Sequence, residues 1–555
     1  MGVGALGLVN RGFDTVVKPS LEKPLAESGC ISCGQCVSVC PTGALQEKQT
    51  VAKEVPLDTT VTNTTCSFCS VGCSLNLETY GDMLIKSNPD KDGPVNKGLL
   101  CGKGKWGFDC SVLEEKLTTP LVKGEDGFRE TDYHEALVLT AKKAESIATK
   151  YGKDAVAVAI SDRYTNEEAY VIKKLADIMG AKTLCFNNVE SGVEKVLGLD
   201  ASPNTIDELL STNVIIAFGF IVENNPVIQL KLKQAAEGGV KVYVINPKDC
   251  EVNNFDFATK IIYTENNLDA IKEISKVLLD MGKVSSADNF DEFKNSLENV
   301  VVSDEILEVA KAYADAKKAM IVFQQNVVST EAAAMISNIA LLSGHIGAPR
   351  DGILQVKAKN NSQGLIDLGI KAGEEAMDGV KALLCFGENP IMSNLSNLEF
   401  LMVCDTHMTE TCDISDVVIP GTGFASVNGT FTNTERRLQP VSAAIDEGVV
   451  LSNYEVALEI ARVYEVEFDF KDTCDISMEM EERIPRYRYA KVGEIQGNVL
   501  SPINPKFVVV KDGKFVDIHK CTDNLMNVIN ERLPKQVKSS ADVDKVSEVI
   551  AEEAK

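Results

Sequence analysis

Eight cysteines near the start of this chain are spaced so that their thiolates could gather around iron. Cys30, Cys33, Cys36 and Cys40, the last followed by Pro41, form a C-x2-C-x2-C-x3-C-P run. Cys66, Cys69, Cys73 and Cys101 form a second set, C-x2-C-x3-C-x27-C. Four thiolates hold one [4Fe-4S] cluster, and the unbroken first run has the spacing such clusters use. The chemistry would be one-electron transfer. Structural zinc is the competing reading, favoured by two knuckles with a spacer between them, which the first run lacks and the second only half shows.

Thiolates in such arrays need a frame to hold them. At 555 residues with 44% hydrophobic content, the chain is long enough for several packed domains. A net charge of −25 and a pI of about 4.7 argue against nucleic-acid binding, which needs clustered Lys and Arg. Residues 1–20 carry neither an apolar signal core nor twin arginines, and no apolar stretch is long enough to span a bilayer. A reducing cytoplasm is therefore expected, where thiols stay available for iron. The scattered Cys110, Cys185, Cys250, Cys385, Cys404, Cys412, Cys474 and Cys521 read as small buried hydrophobes. Cys404, His407 and Cys412 lack a closing fourth ligand.

Residues 1–58 read as a short cysteine-bearing unit ending in a polar linker, Gln46 to Thr65, and residues 62–117 as a compact cluster unit. From Thr118 the pattern alternates. Helical periodicity at Tyr133–Tyr151, Asn166–Met179, Pro226–Glu237, Leu268–Met281 and Glu331–Leu342 is interleaved with apolar runs. These are Ala155–Ile160, Thr183–Phe186, Val214–Phe218, Val240–Ile245, Ala319–Phe323, Ala382–Phe386, Phe400–Cys404 and Val417–Ile419. Such alternation predicts an α/β fold with doubly wound parallel sheets covered on both faces. From Ser452 the chain turns helical, then polar, and Ser539–Lys555 reads as a charged amphipathic tail. Two G-x-G-x-x-G matches, at Gly2 and Gly102, follow no predicted strand, and there is no Walker A sequence. Electrons are thus expected to enter or leave through a partner.

The cysteine set ending in Cys101-Gly-Lys103-Gly-Lys resembles the cluster domain of the molybdopterin oxidoreductases, in particular formate dehydrogenase alpha subunits and the G subunit of complex I. Arg11-Gly-Phe-Asp-Thr15, the first cysteine run and Cys40-Pro-Thr-Gly-Ala-Leu45 are similar to the ferredoxin-like region those subunits share with iron-only hydrogenases. Gly387-Glu-Asn-Pro390, Asp416-Val-Val-Ile-Pro420 and Gly429-Thr-Phe-Thr-Asn-Thr-Glu-Arg-Arg437 resemble the pterin-binding α/β domains. The resemblance implies small N-terminal ferredoxin-like and [4Fe-4S] units followed by doubly wound domains of that type. It implies domains at 1–58, 62–117, 118–186 with 356–470, and 187–355, and a C-terminal extension at 471–555.

Several departures from the family shape the expected function. Asn187-Asn188-Val189 runs into a shortened loop that lacks the family's molybdenum ligand and its neighbouring histidine. Lys357, ahead of Asn360-Asn-Ser-Gln-Gly364, stands at the family's catalytic arginine position, where lysine loses the planar fork that grips a carboxylate. Phe220 and Ile221 replace small polar residues, Asn246-Pro-Lys248 replaces Asp-Pro-Arg, and nothing after Arg486 matches the family's last pterin domain. Molybdopterin guanine dinucleotide is therefore expected to be absent.

Lys103 is then either a solvated lysine or a relay between cluster and pterin. In paired-cluster domains the fourth cysteine of a run serves the other cluster. Cys40 therefore either closes a cluster with Cys30, Cys33 and Cys36 or serves another, with an upstream portion supplied by a second polypeptide or lost from a misplaced start. The expected role is a relay subunit of a multi-subunit, NADH-linked oxidoreductase, with flavin/NAD-binding and ferredoxin-like partners. A molybdenum or tungsten formate dehydrogenase alpha subunit and a non-redox scaffold with vestigial clusters are the alternatives.

Overall fold

The computed structural model describes residues 1, 3–19, 23–48, 58–109, 115–188, 190–248, 255–390, 393–448, 450–488, 490–496 and 503–516. Two α/β sheets form its body. A seven-stranded sheet runs in the order Gly127–Glu130, Leu121–Gly124, Val417–Pro420, Phe400–Asp405, Ala382–Phe386, Val156–Ile160, Lys182–Leu184. A five-stranded sheet runs Lys260–Thr264, Lys241–Pro247, Val214–Phe218, Ala319–Gln324, Gly352–Val356.

The central strands are buried along their whole length, which is why they read as unbroken apolar runs. All pairings in the five-stranded sheet are parallel. The larger sheet departs from the all-parallel expectation at one edge, where Leu121–Gly124 and Gly127–Glu130 add an antiparallel hairpin. Helices pack on the sheets through apolar stripes. Asn166–Met179 begins in a capping box made by Thr165 and Glu168 and ends at left-handed Gly180, which fixes its start against the strand before it.

In each sheet the strand order reverses between two central neighbours. In the larger sheet these are Val156–Ile160 and Ala382–Phe386, with Ile160 beside Phe386. In the smaller they are Val214–Phe218 and Ala319–Gln324, with Phe218 beside Phe323. Open α/β sheets bind ligands outside the carboxyl ends of the strands at such a point.

A three-stranded antiparallel sheet, Thr60–Thr65, Ser74–Tyr80 and Met83–Pro89, carries the second cysteine set. Its first strand lies where the sequence reads as linker. Threonine and asparagine look polar, but here they pair in full register with Ser74–Tyr80. Residues 503–516, in the stretch that reads as polar, fold back on the helices Phe290–Ser296 and Thr330–Ser343 that cover the smaller sheet. Phe507 stacks on Phe293 at 4.7 Å, and Asn338 Nδ2 donates to the Val508 carbonyl at 2.7 Å. Ser539–Lys555 lies outside the described residues. No helix among the described residues is long and apolar enough to cross a membrane.

Candidate iron-sulfur site and the crevices beside it

The loop bearing Cys66, Cys69 and Cys73 is closed at its base by the Cys66 amide donating to the Cys73 carbonyl at 2.9 Å. The body then clamps it. Gln439 Nε2 donates to the Gly72 carbonyl at 2.7 Å, Asn433 Nδ2 to the Val71 carbonyl at 2.9 Å, and Ser70 Oγ to the Lys357 carbonyl at 2.6 Å. Gly72 is left-handed, and a β-carbon there would lie 1.8 Å from Gln439 Oε1, so only glycine lets the loop sit this close. Cys101 arrives from the other side, just ahead of the short helix Gly102–Trp106. A β-carbon on Gly104 would come within 3.6 Å of Cys66 Sγ.

Cys66, Cys73 and Cys101 are buried, and Cys69 is half-buried beside them. Burial raises the pKa of Cys66 and Cys73 and pushes Cys69 up to about 11, and the neighbouring thiols add to each shift. Left alone these three stay protonated; a metal centre supplies the positive charge that lets them ionise, with release of protons. An all-cysteine donor set in an apolar shell fits a [4Fe-4S] cluster.

The first run lies against the second. A β-carbon on Gly102 would sit 3.3 Å from the Ser32 carbonyl oxygen and 3.7 Å from that of Ile31, so the backbone between Cys30 and Cys33 touches the residue after Cys101. Trp106 Nε1 donates to the Ser32 carbonyl at 2.6 Å, and Gln35 Nε2 to the Gly98 carbonyl at 2.8 Å. Lys105, fully buried, pairs with Glu47 at 2.5 Å and donates to the Ser87 carbonyl at 2.7 Å. Thus Glu47, read as linker, anchors one unit to the other. Within the run, Cys36 and Cys30 both act on Cys33, whereas half-buried Cys40 lies among Thr42, Ala44 and Leu45, whose hydrogen bonds lower its pKa to about 7.

The anchor can be broken selectively. Lys105→Met leaves Glu47 buried without its cation, a change worth about 3–5 kcal/mol. Hydrogen exchange is expected to show lost protection at residues 30–36 with the sheet at residues 60–89 unchanged.

Beside the cluster loop, at the reversal point of the larger sheet, lies a cavity of about 230 Å³ lined by Phe68, Lys116, Arg163, Asp405, His407 and Phe424 among others. The equivalent crevice of the smaller sheet is filled from within. Gln324 accepts from the Ile221 amide at 2.8 Å and donates to its carbonyl at 2.7 Å, while Asn246 accepts from the Phe220 amide at 2.8 Å and donates to its carbonyl at 2.9 Å. Phe220 packs edge-on against Phe255 at 6.0 Å. Residues that looked like lost cofactor donors thus satisfy one another.

Lys357 is wholly buried and pairs with Asp200 at 2.5 Å. Its charge is already committed. Lys103 is exposed, and its Nζ donates to the Glu223 carbonyl at 3.2 Å; it also acts on Cys69 and on half-buried Lys359. Among the described residues one further group, Asp162, Cys185 and Glu388, has donor atoms that all lie within 4.8 Å of one another, and sequence reasoning missed it; Cys404, His407 and Cys412 do not come that close. Cys185 lies in the core as expected, but its thiol donates to Glu388 Oε1 at 3.5 Å.

Comparison with known proteins agrees with this geometry. The model for the molybdopterin oxidoreductase Fe4S4 domain matches residues 59–110, and that for the 4Fe-4S binding domain matches residues 26–46. An F420-dependent formate dehydrogenase subunit alpha of Methanocaldococcus jannaschii is 27% identical over 508 residues, covering 77% of this chain and 74% of that protein. A putative formate dehydrogenase of Bacillus subtilis is 27% identical over 82% of this chain and 54% of its own length. Among solved structures, acetylene hydratase from Pelobacter acetylenicus shares the fold with a TM-score of 0.59 at 17% identity, covering 74% of this chain and 70% of that one. The model for molybdopterin oxidoreductases matches residues 116–448, which is more than half of the chain. With its paired 4Fe-4S binding domains set on that body, the chain belongs to the molybdopterin oxidoreductase family.

Proposed function

We propose that this chain is the electron-relay subunit of a multi-subunit, NADH-linked oxidoreductase, working in the cytoplasm with flavin/NAD-binding and ferredoxin-like partners. In this reading Cys66, Cys69, Cys73 and Cys101 hold one [4Fe-4S] cluster. Cys30, Cys33 and Cys36 hold a second, while Cys40, set apart from them, serves another. A bound [4Fe-4S] cluster takes and gives single electrons. The observation that carries the reading is the contact of Gly102 with Ile31 and Ser32, which sets the two thiol arrays back to back with no intervening layer.

The body then acts as scaffold, with units at 1–58, 62–117, 118–186 with 356–470, 187–355 and 471–555. Two observations support the absence of molybdenum chemistry: Lys357 is spent on Asp200, and the smaller sheet's crevice is closed by Gln324 and Asn246. A formate dehydrogenase catalytic subunit is the second reading, favoured by the likeness to the two formate dehydrogenase relatives and by the cavity of the larger sheet.

Elemental analysis of anaerobically purified protein, with reduction followed by EPR, separates the two. The relay predicts about four to eight iron atoms per chain, in cubes of four, signals from reduced clusters, and no molybdenum or tungsten. Molybdenum or tungsten at one atom per chain makes this a catalytic subunit.

A further inference from the structure

At the reversal point of the larger sheet, residues from three strand ends meet in a space closed to solvent. Asp162 follows Val156–Ile160, Cys185 follows Lys182–Leu184, and Glu388 follows Ala382–Phe386. Their donor atoms all lie within 4.8 Å of one another, and all three residues are buried. Asp162 accepts from Asn187 Nδ2 at 3.0 Å and from Ser362 Oγ at 2.5 Å, partners that favour its carboxylate form. Glu388 receives only the weak thiol donor of Cys185 at 3.5 Å. Two carboxyls this close and this dry do not both ionise readily, so Glu388, the less well supported of the two, gives up its proton only at raised pH.

Two cations act on the group: Arg163, next in sequence to Asp162, and Lys359, which precedes the helix Ser362–Asp367; Lys103, from the helix after Cys101, acts on Lys359. Cys385, whose Sγ donates to the Glu388 carbonyl at 3.2 Å, and Asp405 beyond it complete the titratable surroundings. These cations argue against a divalent metal between the carboxylates. They also tie the group to the cluster loop: Arg163 Nη1 donates at 3.3 Å to the carbonyl of Ser67, between Cys66 and Cys69, and Lys103 acts on Cys69.

We propose that the Asp162–Cys185–Glu388 group takes up one proton when the adjacent cluster gains one electron. The inference rests on the cluster assignment made above. Before reduction, Arg163 and Lys359 offset negative charge on the carboxyl pair. Where Glu388 is ionised, an electron from an external low-potential reductant then draws on the same cations, and Glu388 binds a proton from solvent, one O–H bond forming there and one breaking in the hydronium or buffer acid that supplies it. The cavity beside the cluster loop is lined by Arg163 and Gly387, the sequence neighbours of Asp162 and Glu388. Burial and the facing Asp162 push Glu388 up to about 8, which places its titration in an accessible range. Its proton affinity is higher when the cluster is reduced, so the midpoint potential falls as pH rises through that range.

The test is an EPR-monitored dithionite titration of the full-length, cluster-loaded protein between about pH 6 and pH 10. The reduction equilibrium is expected to change by about tenfold across the window, or 59 mV for one electron. In Glu388→Gln the potential is expected to be flat. In Asp162→Asn the pH-dependent window moves down, because a facing negative charge is gone. A flat wild-type profile, a slope that survives in Glu388→Gln, or an unmoved window in Asp162→Asn overturns the proposal. A chain that binds no reducible iron is told apart by its metal content and EPR silence, and overturns the cluster assignment as well.

Discussion

Changing Cys69 and Cys101 together to serine is expected to remove about four iron atoms per chain and the EPR signal of one cluster, leaving the first array's iron in place. The two residues come from opposite sides of the site, one from the loop at residues 66–73 and one from just ahead of the helix Gly102–Trp106. Their loss leaves Cys66 and Cys73, both buried, with too few partners to hold a cube. Burial then returns those thiols to the protonated form, the direction in which both are already shifted. Because the metal centre is what stabilises four thiolates in an apolar space, its binding energy is also folding energy. The sheet formed by residues 60–89 should therefore lose hydrogen-exchange protection, whereas the sheets of the body should not. Cys185→Ser and Cys385→Ser serve as controls with unchanged iron, since both thiols are buried against Glu388 and belong to neither array. A loss of one zinc atom in place of four irons would show that the second set is a structural zinc site.

Much of this architecture was legible from local pattern, and what was missed has physical causes. Val156–Ile160 and Val214–Phe218 could be read because a central parallel strand is buried on both faces and has no polar position to confuse it. Thr60–Thr65 was read as linker because its stability comes from pairing with Ser74–Tyr80, which its own composition does not show. Glu47 and Lys105 each look like solvated charges in sequence, and only the docking of the two cluster units buries them together. Asn246 and Phe220 were read as losses of cofactor-holding polarity, although each supplies what the other's backbone or side chain needs. The Asp162–Cys185–Glu388 group escaped because its members are far apart in the chain. A signal existed: Asp162 and Glu388 are acids placed two residues beyond the ends of all-apolar strands, and adjacency of those strands would have made them neighbours.

Lys357→Met is expected to destabilise the body by about 3–5 kcal/mol, because it leaves Asp200 buried with no cation. The pair spans 2.5 Å, with the lysine side chain fully covered and that of Asp200 5% exposed. Gln363 Nε2 holds the Asp200 carbonyl at 3.0 Å, so the carboxylate has little freedom to reach water when its partner is lost. Replacing both members, as in Lys357→Met with Asp200→Leu, should recover most of the loss, since desolvating a charge pair offsets much of what its attraction returns. A lysine kept for gripping a substrate carboxylate would behave differently. Its removal would weaken substrate binding at little cost in stability, and the second substitution would restore nothing. Urea unfolding of the two variants against wild type distinguishes these roles. The consequence reaches the cluster, because the Lys357 carbonyl accepts from Ser70 Oγ at 2.6 Å and the Lys357 amide donates to Thr434 Oγ1 at 3.1 Å. Loosening this strand end therefore loosens the loop that carries Cys66, Cys69 and Cys73, and iron should be lost to a chelator faster from Lys357→Met than from the double variant.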